Sequence, residues 1–304
     1  MHLSNGSFPF PDKTGTIWLG FTDITPPDPE RVVLCVHGLT RQARDFDVLA
    51  QVLAADHHVI AFDLAGRGRS GWLSDKSAYR LDTYMRHVKA LLHYRGLTEV
   101  VWFGSGIGGL IGMALAAEED SPISHLILND IGPEMAPEGV ARIAAYASEN
   151  PHFKRLAEVA DYFRQIYAPF GPIEDAAWSE LTIHAINRED TGGYSLHYDP
   201  AIGVAFEAEP YPRQMWSLYD RIWQPTLVVR GRDSDVLTPE IAAEMAERGP
   251  QADVVEIAGR GHLPPMLERC EIDIVARWLA QFVVEDDAES ETTDTEIDAP
   301  EDQP

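Results

Sequence analysis

The chain has 304 residues, 45% of them hydrophobic, and this length lets one large domain bury a core without disulfide bonds. Its 49 acidic and 24 basic residues give a net charge of −25, which argues strongly against binding to the phosphates of nucleic acid. Only two cysteines occur, and there is neither a leader-like start nor a long apolar run, so we expect a cytoplasmic protein without a membrane span.

Apolar, β-branched runs recur along the chain and alternate with helical patterns. Six of these runs predict strands: "RVVLCVH" at 31–37, "HHVIAFD" at 57–63, "EVVWFG" at 99–104, "SHLILND" at 124–130, "PTLVVRG" at 225–231 and "ADVVEIAG" at 252–259. Their apolarity is continuous, which is typical of strands covered on both faces, as in a parallel sheet. Between them, apolar residues spaced three and four apart predict helices that face the sheet. The sequence therefore predicts an α/β fold with a doubly wound, mostly parallel sheet.

This alternation stops at residues 133–221, whose patterns are those of helices and loops. We expect this segment to form an inserted, mainly helical cap above the carboxyl ends of the strands, where open α/β sheets bind ligands. Residues 1–132 and 222–284 then form the two parts of the core. The last twenty residues, 285–304, contain ten acidic side chains and are expected to remain disordered.

The segment "VVWFGSGIGGLIGMALAAE" runs from a predicted strand through a glycine-rich turn directly into a predicted helix. Such a turn presents its central residue at a helix amino terminus, beside backbone N–H groups and the positive end of the helix dipole. In the pattern G-x-S-x-G, the nucleophile elbow, the centre is a serine and small residues stand two positions away on either side. Gly104 and Gly108 fit the flanking places, which puts Gly106 at the centre. Ser105 does not fit the centre, because the residues flanking it would then be bulky, so we expect it to point sideways into the site or the packing.

A second turn follows the first predicted strand, in "LCVHGLT". In an acyl-transfer site the Leu39 N–H, together with the Ile107 N–H, would form an oxyanion hole. We interpret His37 mainly as a brace for this loop, in preference to a proton-transfer role. His37, Ser105 and Trp72, which follows another glycine-rich loop, are our candidates for contact with the substrate.

Two later strand ends carry the residues of a catalytic base. The segment "LVVRGRDSDVLTPE" places Asp233 and Asp235 just past a predicted strand, and "VVEIAGRGHLPPM" places His262 in a glycine-flanked loop after the last strand. An imidazole that takes a proton and an aspartate that orients it form the base half of a triad. The elbow, the aspartates and the histidine follow one another in the order that the elbow fold requires. Position alone leaves both aspartates open for the role.

Six segments in order resemble the α/β-hydrolase superfamily, in particular its bacterial capped members: "HGLTRQARDFDVLAQVLA", "FDLAGRGRSG", "FGSGIGGLIGMALA", "LILNDIGPE", "RGRDSDVLTPE" and "GRGHLPPMLE". The likeness spans residues 31–284. It implies that Asp235 is the catalytic acid, with Asp233 as the runner-up, and that His262 is the general base. It also implies that relatives carry a serine nucleophile where this chain has Gly106.

Because Gly106 has no hydroxyl, no acyl-enzyme forms on it, and three hypotheses compete. The first, which we favour, is a hydrolase of small apolar esters or lactones whose Ser-Asp-His triad has lost its serine, so that hydrolysis is strongly impaired. The second is an enzyme of another class, such as a lyase, a cyclase or a cofactor-free oxygenase, in which Asp235 and His262 act as a base without a covalent step. The third is a non-catalytic ligand receptor, against which the retained Asp235 and His262 count.

The sequence shows no metal-ligand spacing, and "GSGIGG" is a weak dinucleotide motif because it follows a late strand and lacks a matched ribose-binding acid. We therefore expect no metal and no cofactor. The partner that we expect is a small-molecule substrate, with no nucleic acid and no membrane, and the pattern predicts no particular oligomeric state.

Overall fold

The computed structural model describes residues 3–190, 192–208 and 214–282. The acidic segment 285–304, for which the sequence predicts disorder, lies outside these residues. The strands are β1 (Ser4–Asp12), β2 (Gly15–Ile24), β3 (Val32–Val36), β4 (His58–Phe62), β5 (Val100–Ser105), β6 (Ile123–Asn129), β7 (His152–Phe153), β8 (Ile186–Arg188), β9 (Tyr194–Leu196), β10 (Thr226–Gly231) and β11 (Asp253–Ile257). The α-helices are α1 (Asp47–Leu53), α2 (Leu81–Arg95), α3 (Ile107–Ala116), α4 (Pro137–Ala147), α5 (Leu156–Ile166), α6 (Asp175–His184), α7 (Ala201–Ala208), α8 (Trp216–Tyr219), α9 (Pro239–Glu247) and α10 (Arg269–Ala280).

The central sheet has eight strands in the order β1-β2-β4-β3-β5-β6-β10-β11. Its last six are the six strands predicted from the sequence, and every neighbouring pair among them is parallel. Successive residues of one strand lie in different hydrophobic cores, which shows that helices cover both faces of the sheet. Leu34 of β3 packs with residues of α2 and α3, whereas Cys35 packs with residues of α1 and α10. The predicted doubly wound, mostly parallel α/β sheet is therefore confirmed.

The first two strands form a hairpin that the sequence did not predict. β1 pairs antiparallel with β2, from Ser4 opposite Asp23 to Asp12 opposite Gly15, and β2 then pairs antiparallel with β4. β1 is an edge strand that is largely exposed and contains Pro9 and Pro11. Prolines are tolerated at an edge because no ladder hydrogen bond is needed on its outer side. Such a strand lacks the continuous apolar run by which the other strands were recognised.

The segment 133–221, which we call the cap segment, contains α4 to α8 and a small antiparallel sheet in the order β7-β9-β8. That sheet was not predicted, because its strands have only two or three residues and give no apolar run. Aromatic side chains of the cap segment meet the core at Arg41, whose guanidinium carbon lies 4.6 Å from the ring centre of Tyr167. The Thr40 and Tyr167 hydroxyls are 3.0 Å apart at the same boundary. The cap segment therefore contacts the loop that follows β3.

Candidate active site

The elbow between β5 and α3 has the geometry that the glycine pattern predicts. Gly106 separates the strand from the helix and has φ 50° and ψ −116°, a conformation in the left-handed half of the map. A Cβ added to Gly104 would lie 2.5 Å from the backbone of Gly108, and one added to Gly108 would lie 2.0 Å from the Val36 carbonyl oxygen. Both flanking positions therefore exclude any side chain, as the nucleophile elbow requires.

The centre of the elbow, in contrast, has room for a side chain. The nearest atoms to a Cβ added at Gly106 are the Gly38 Cα at 3.6 Å and the Leu263 methyl carbons at 3.8 Å, which are ordinary contact distances. The obstacle to another residue is the positive φ, which costs a non-glycine residue about 1–2 kcal/mol. Space alone does not explain the glycine at this position.

The imidazole of His262 is paired with Asp130, the residue directly after β6. Its Nδ1 lies 2.8 Å from an Asp130 carboxylate oxygen, and both side chains are buried, with exposed fractions of 6% and 0%. Since a carboxylate accepts at Nδ1, the lone pair of the neutral ring is on Nε2. This is the arrangement in which an aspartate orients a histidine that acts as a general base.

Asp130 is held by more than the histidine. One carboxylate oxygen accepts the Gly231 N–H at 2.8 Å, and the other accepts the Ser234 hydroxyl at 2.6 Å and the Leu263 N–H at 3.3 Å. Its backbone has a φ of 53°, which is strained for a residue other than glycine. The carboxylate is thus fixed by donors from the end of β10, from the loop that follows β10 and from the histidine loop.

The prediction that Asp235 pairs with His262 is wrong for this structure. Asp235 makes a two-pronged ion pair with Arg142 of α4, with Nε and Nη2 at 2.6 and 2.7 Å from its two oxygens. Burial by itself would raise the pKa of Asp235, but Arg142 holds it below the ordinary value. Asp233, the runner-up, is exposed. The reason lies in the sheet order, because β6 lies between β5 and β10 and its carboxyl end is therefore next to the elbow.

One cavity brings together the elbow, the histidine and the loop after β3. Gly106, Ile107, Leu39 and His262 all line it. As the first residue of α3, Ile107 has an N–H with no acceptor inside the helix. Arg67 donates to the Leu39 carbonyl at 2.8 Å and so fixes the backbone of the other predicted oxyanion-hole residue. The cavity therefore brings together the elbow, the predicted base and both residues that are predicted to form the oxyanion hole.

The rest of the cavity wall is mainly apolar and comes largely from the cap segment. Its empty space is about 650 Å³, a volume that includes open solvent. Besides Leu39 and Ile107, the aliphatic and aromatic side chains in the wall are Leu110, Ile131, Met135, Val140, Ile143, Tyr146, Ile166, Tyr167, Pro169, Phe170, Phe206, Val236 and Leu263. The wall suits a ligand with an apolar body.

A family model described as the α/β hydrolase fold matches residues 31–268. The 3-hydroxybutyrate-oligomer hydrolase of Cupriavidus necator is 38% identical over 262 residues, which cover 83% of this chain and 89% of that protein. This chain belongs to the α/β hydrolase family. A solved α/β hydrolase from Novosphingobium aromaticivorans is 32% identical, with a TM-score of 0.81 over 91% of this chain and 98% of that one. The structure of E-2-(acetamidomethylene)succinate hydrolase, at 19% identity and a TM-score of 0.77 over 92% and 100% of the two chains, shares the fold of this α/β hydrolase.

Three predicted substrate contacts of this α/β hydrolase are not among the described residues that line the cavity. His37 is fully buried, with Nδ1 2.7 Å from the Gly38 carbonyl and Nε2 accepting the Leu64 N–H at 3.0 Å. Burial, reinforced by Arg67, lowers its pKa to about 3, so it is a neutral brace of the loop. These bonds use both ring nitrogens and leave none for substrate.

Ser105 and Trp72 are the other two. The Ser105 hydroxyl accepts from the Asn129 amide at 3.0 Å and faces a separate recess, which His37 also lines. It therefore points sideways into the packing, one of the two placements expected from the sequence. Trp72 is 47% exposed, and the Lys76 ammonium lies 5.3 Å from its ring centre. It belongs to the outer surface of the α/β hydrolase.

Within residues 3–190, 192–208 and 214–282, no cluster of three His, Cys, Asp or Glu side chains is placed to hold a metal ion. The same residues contain no helix that is both long and apolar enough to span a membrane.

Proposed function

We propose that this α/β hydrolase binds a small apolar ester or lactone in the cavity and that Gly106 stands where a serine nucleophile would attack it, so that hydrolysis is strongly impaired. The observation that carries the proposal is the pairing of buried His262 with buried Asp130 beside Gly106 in one apolar cavity. We assign His262 as the base, Asp130 as the orienting carboxylate and the Leu39 and Ile107 N–H groups as the oxyanion donors, and the hydroxyl is the part that this assignment lacks.

With a serine at the elbow, the chemistry follows from the groups around it. His262 Nε2 would take the hydroxyl proton as the oxygen attacks the ester carbonyl, while Asp130 stabilises the imidazolium that forms. The Leu39 and Ile107 N–H groups would hold the negative charge on the carbonyl oxygen. Without that hydroxyl, binding and oxyanion stabilisation alone would leave a rate about 10³- to 10⁴-fold above the uncatalysed reaction.

The name of the relative from Cupriavidus necator suggests which kind of ester to test. Its name assigns it oligomers of 3-hydroxybutyrate, which are linear esters with a short aliphatic body. Such a body fits the aliphatic and aromatic wall of the cavity. We therefore propose short hydroxy-acid esters as the first substrates to test.

Gly106→Ser is the decisive experiment, because the elbow has room for the added side chain. We expect turnover of short aryl esters and 3-hydroxybutyrate dimers to rise at least about 10³-fold over the unmodified chain, with an acyl-enzyme visible by intact mass. Gly106→Ala is the matched control, since it adds the same Cβ and the same backbone strain without a hydroxyl. A folded Gly106→Ser protein that hydrolyses no member of an ester and lactone panel, and forms no acyl adduct, would refute the proposal.

A second candidate is a general-base reaction with no covalent step, as in a lyase or cyclase. The observation that favours it is the complete hydrogen bonding of Asp130, which keeps His262 oriented although the serine is absent. Its signature is turnover by the unmodified chain that His262→Ala abolishes and that Gly106→Ser does not raise. Product analysis of the unmodified chain with the same panel distinguishes the two.

A further inference from the structure

We propose that Arg142 binds a carboxylate of the ligand inside the cavity, so that the preferred substrates are esters that carry a free acid group. This inference deepens the proposed function and rests on it for the ester, but the carboxylate site can be tested by itself.

The charged side chains in the cavity wall are positive, whereas the net charge of the whole chain is negative. The chain has a net charge of −25, yet the charged side chains that line the cavity are Arg41 and Arg142. None of the described lining residues is Asp or Glu. A wall that is otherwise apolar strengthens an interaction between a guanidinium and an anion, because water competes less there. Each arginine is ion-paired with an aspartate that does not line the cavity, so the lining offers a ligand anion N–H donors and offers a cation no carboxylate.

Of the two arginines, Arg41 is committed to the protein. Its Nε and Nη2 donate to Asp45 at 2.6 and 2.7 Å, its side chain is 4% exposed, and its guanidinium lies over the ring of Tyr167. These contacts hold the loop after β3 against the cap segment. We assign Arg41 to this packing.

Arg142 is the more accessible arginine. It projects from α4 of the cap segment, and its side chain is 29% exposed. Asp235 occupies one edge of the guanidinium, the one formed by Nε and Nη2, and Nη1 takes no part in that contact. A guanidinium has five N–H donors and can serve two carboxylates at once. Tyr146, which also lines the cavity, interacts with Arg142 as well, so a ligand carboxylate at the second edge would lie beside the Tyr146 hydroxyl.

The position of this pair also limits the length of the substrate. Arg142, which holds Asp235, lines the same cavity as His262, and so does Val236, the residue that follows Asp235. A carboxylate on Arg142 would therefore lie near the reacting carbonyl. Esters in which only a few bonds separate the acid from the ester, such as acylated short hydroxy acids, fit this spacing.

Binding to the unmodified chain tests the carboxylate site without any catalysis. The probes are hexanoate and hexanamide, which share a body and differ in charge, measured by calorimetry at pH 7.5. One charge-assisted, two-pronged contact is worth about 1.5–3 kcal/mol, so we expect hexanoate to bind at least about 10-fold more tightly than hexanamide. Arg142→Gln should remove this preference and leave hexanamide binding within about 2-fold.

Asp235→Asn gives a result of opposite sign, because it removes the negative charge next to the site. We expect it to tighten hexanoate binding several-fold, by the same charge argument. Arg164→Gln is the matched control, since Arg164 is an ion-paired arginine of the cap segment that does not line the cavity. It should leave both affinities unchanged.

The double variant Arg142→Gln/Asp235→Asn covers the case in which Arg142→Gln alone destabilises the fold by leaving Asp235 unpaired. Equal binding of the two probes to the unmodified chain would overturn the inference, and so would a hexanoate preference that survives in the double variant. Failure of the proposed function has a different signature, because a Gly106→Ser protein that hydrolyses no ester leaves the hexanoate preference intact.

Discussion

Asp130→Asn separates the two candidate acids most directly. In a Gly106→Ser background we expect this change to lower kcat toward a short ester about 10⁴-fold, which corresponds to about 5.5 kcal/mol of transition-state stabilisation. Asp235→Asn in the same background should lower kcat less than about 10-fold, since the partner of Asp235 is Arg142.

The size of the Asp130 effect follows from its four hydrogen bonds. An asparagine can keep one oxygen on the Gly231 N–H, but its amide nitrogen then replaces the oxygen that accepts from His262, Ser234 and Leu263. The Ser234 oxygen already accepts the Val236 and Leu237 N–H groups, so it cannot readily accept from this amide as well, and the Leu263 N–H cannot accept at all. To avoid a clash of donors, the imidazole must accept at Nδ1 and carry its proton on Nε2, which is the wrong tautomer for a base. Each buried donor left without an acceptor costs about 1–3 kcal/mol of stability.

Three measurements check this expectation. Steady-state kinetics on the Gly106→Ser parent and its two derivatives give the kcat ratio, and urea unfolding shows that each protein is folded. Ring ¹⁵N shifts of His262, measured in the chain that keeps Gly106, report the tautomer independently of catalysis. We expect Nδ1 to be protonated in the unmodified chain, and we expect Asp130→Asn, but not Asp235→Asn, to change these signals. Equal loss of kcat in the two aspartate variants, or a tautomer that only Asp235→Asn alters, would refute the assignment of Asp130.

Two further predictions concern stability. Gly104→Ala should destabilise the fold by about 3 kcal/mol, because its Cβ would lie 2.5 Å from the Gly108 backbone. Gly106→Ala should destabilise it by only about 1–2 kcal/mol, the cost of its positive φ. Urea unfolding measures both losses of stability, and equal losses would contradict the elbow geometry. His37 should weaken the fold in acid, because its folded pKa of about 3 lies below its unfolded value, so the unfolded chain takes up the proton first. Its contribution should be lost at about 1.4 kcal/mol per pH unit as the pH falls from about 6.5 towards 3. Urea midpoints between pH 7 and 4.5 should fall less steeply in His37→Gln, and parallel slopes would argue against this account.

The fold was predictable from local patterns where both faces of a strand are buried. Runs such as Val32–Val36 and residues 227–229 of β10 are apolar throughout because helices cover both sides of the sheet. The β1–β2 hairpin and the small sheet of the cap segment escaped prediction for the opposite reason, since an exposed edge and strands of two or three residues leave no such run. Local composition indicates whether a strand is buried, so it gives only a weak signal for strands that are exposed or very short.

Some residues of the candidate site could be predicted from local patterns and others could not. Gly106 and His262 were located by motifs of a few adjacent residues, and both line the cavity. The acid could not be located in this manner, because its identity depends on which strand end lies beside the elbow in the sheet. Asp130 stood at the end of the predicted strand "SHLILND" and within the family-like segment "LILNDIGPE", but Asp233 and Asp235 also followed a predicted strand within such a segment.

The partners of the two carboxylates show why they are not interchangeable. Asp130 is surrounded by neutral donors, an N–H on one side and a hydroxyl on the other, so its negative charge remains available to an imidazolium at His262. Asp235 is compensated by the guanidinium of Arg142 and would have to leave two charge-assisted hydrogen bonds to reach the histidine. At about 1.5–3 kcal/mol for each such bond, this exchange would cost more than a single bond to imidazole returns. Because Arg142 comes from the cap segment, the same ion pair that keeps Asp235 from the base also places a positive charge in the cavity, where an acidic ligand would meet it.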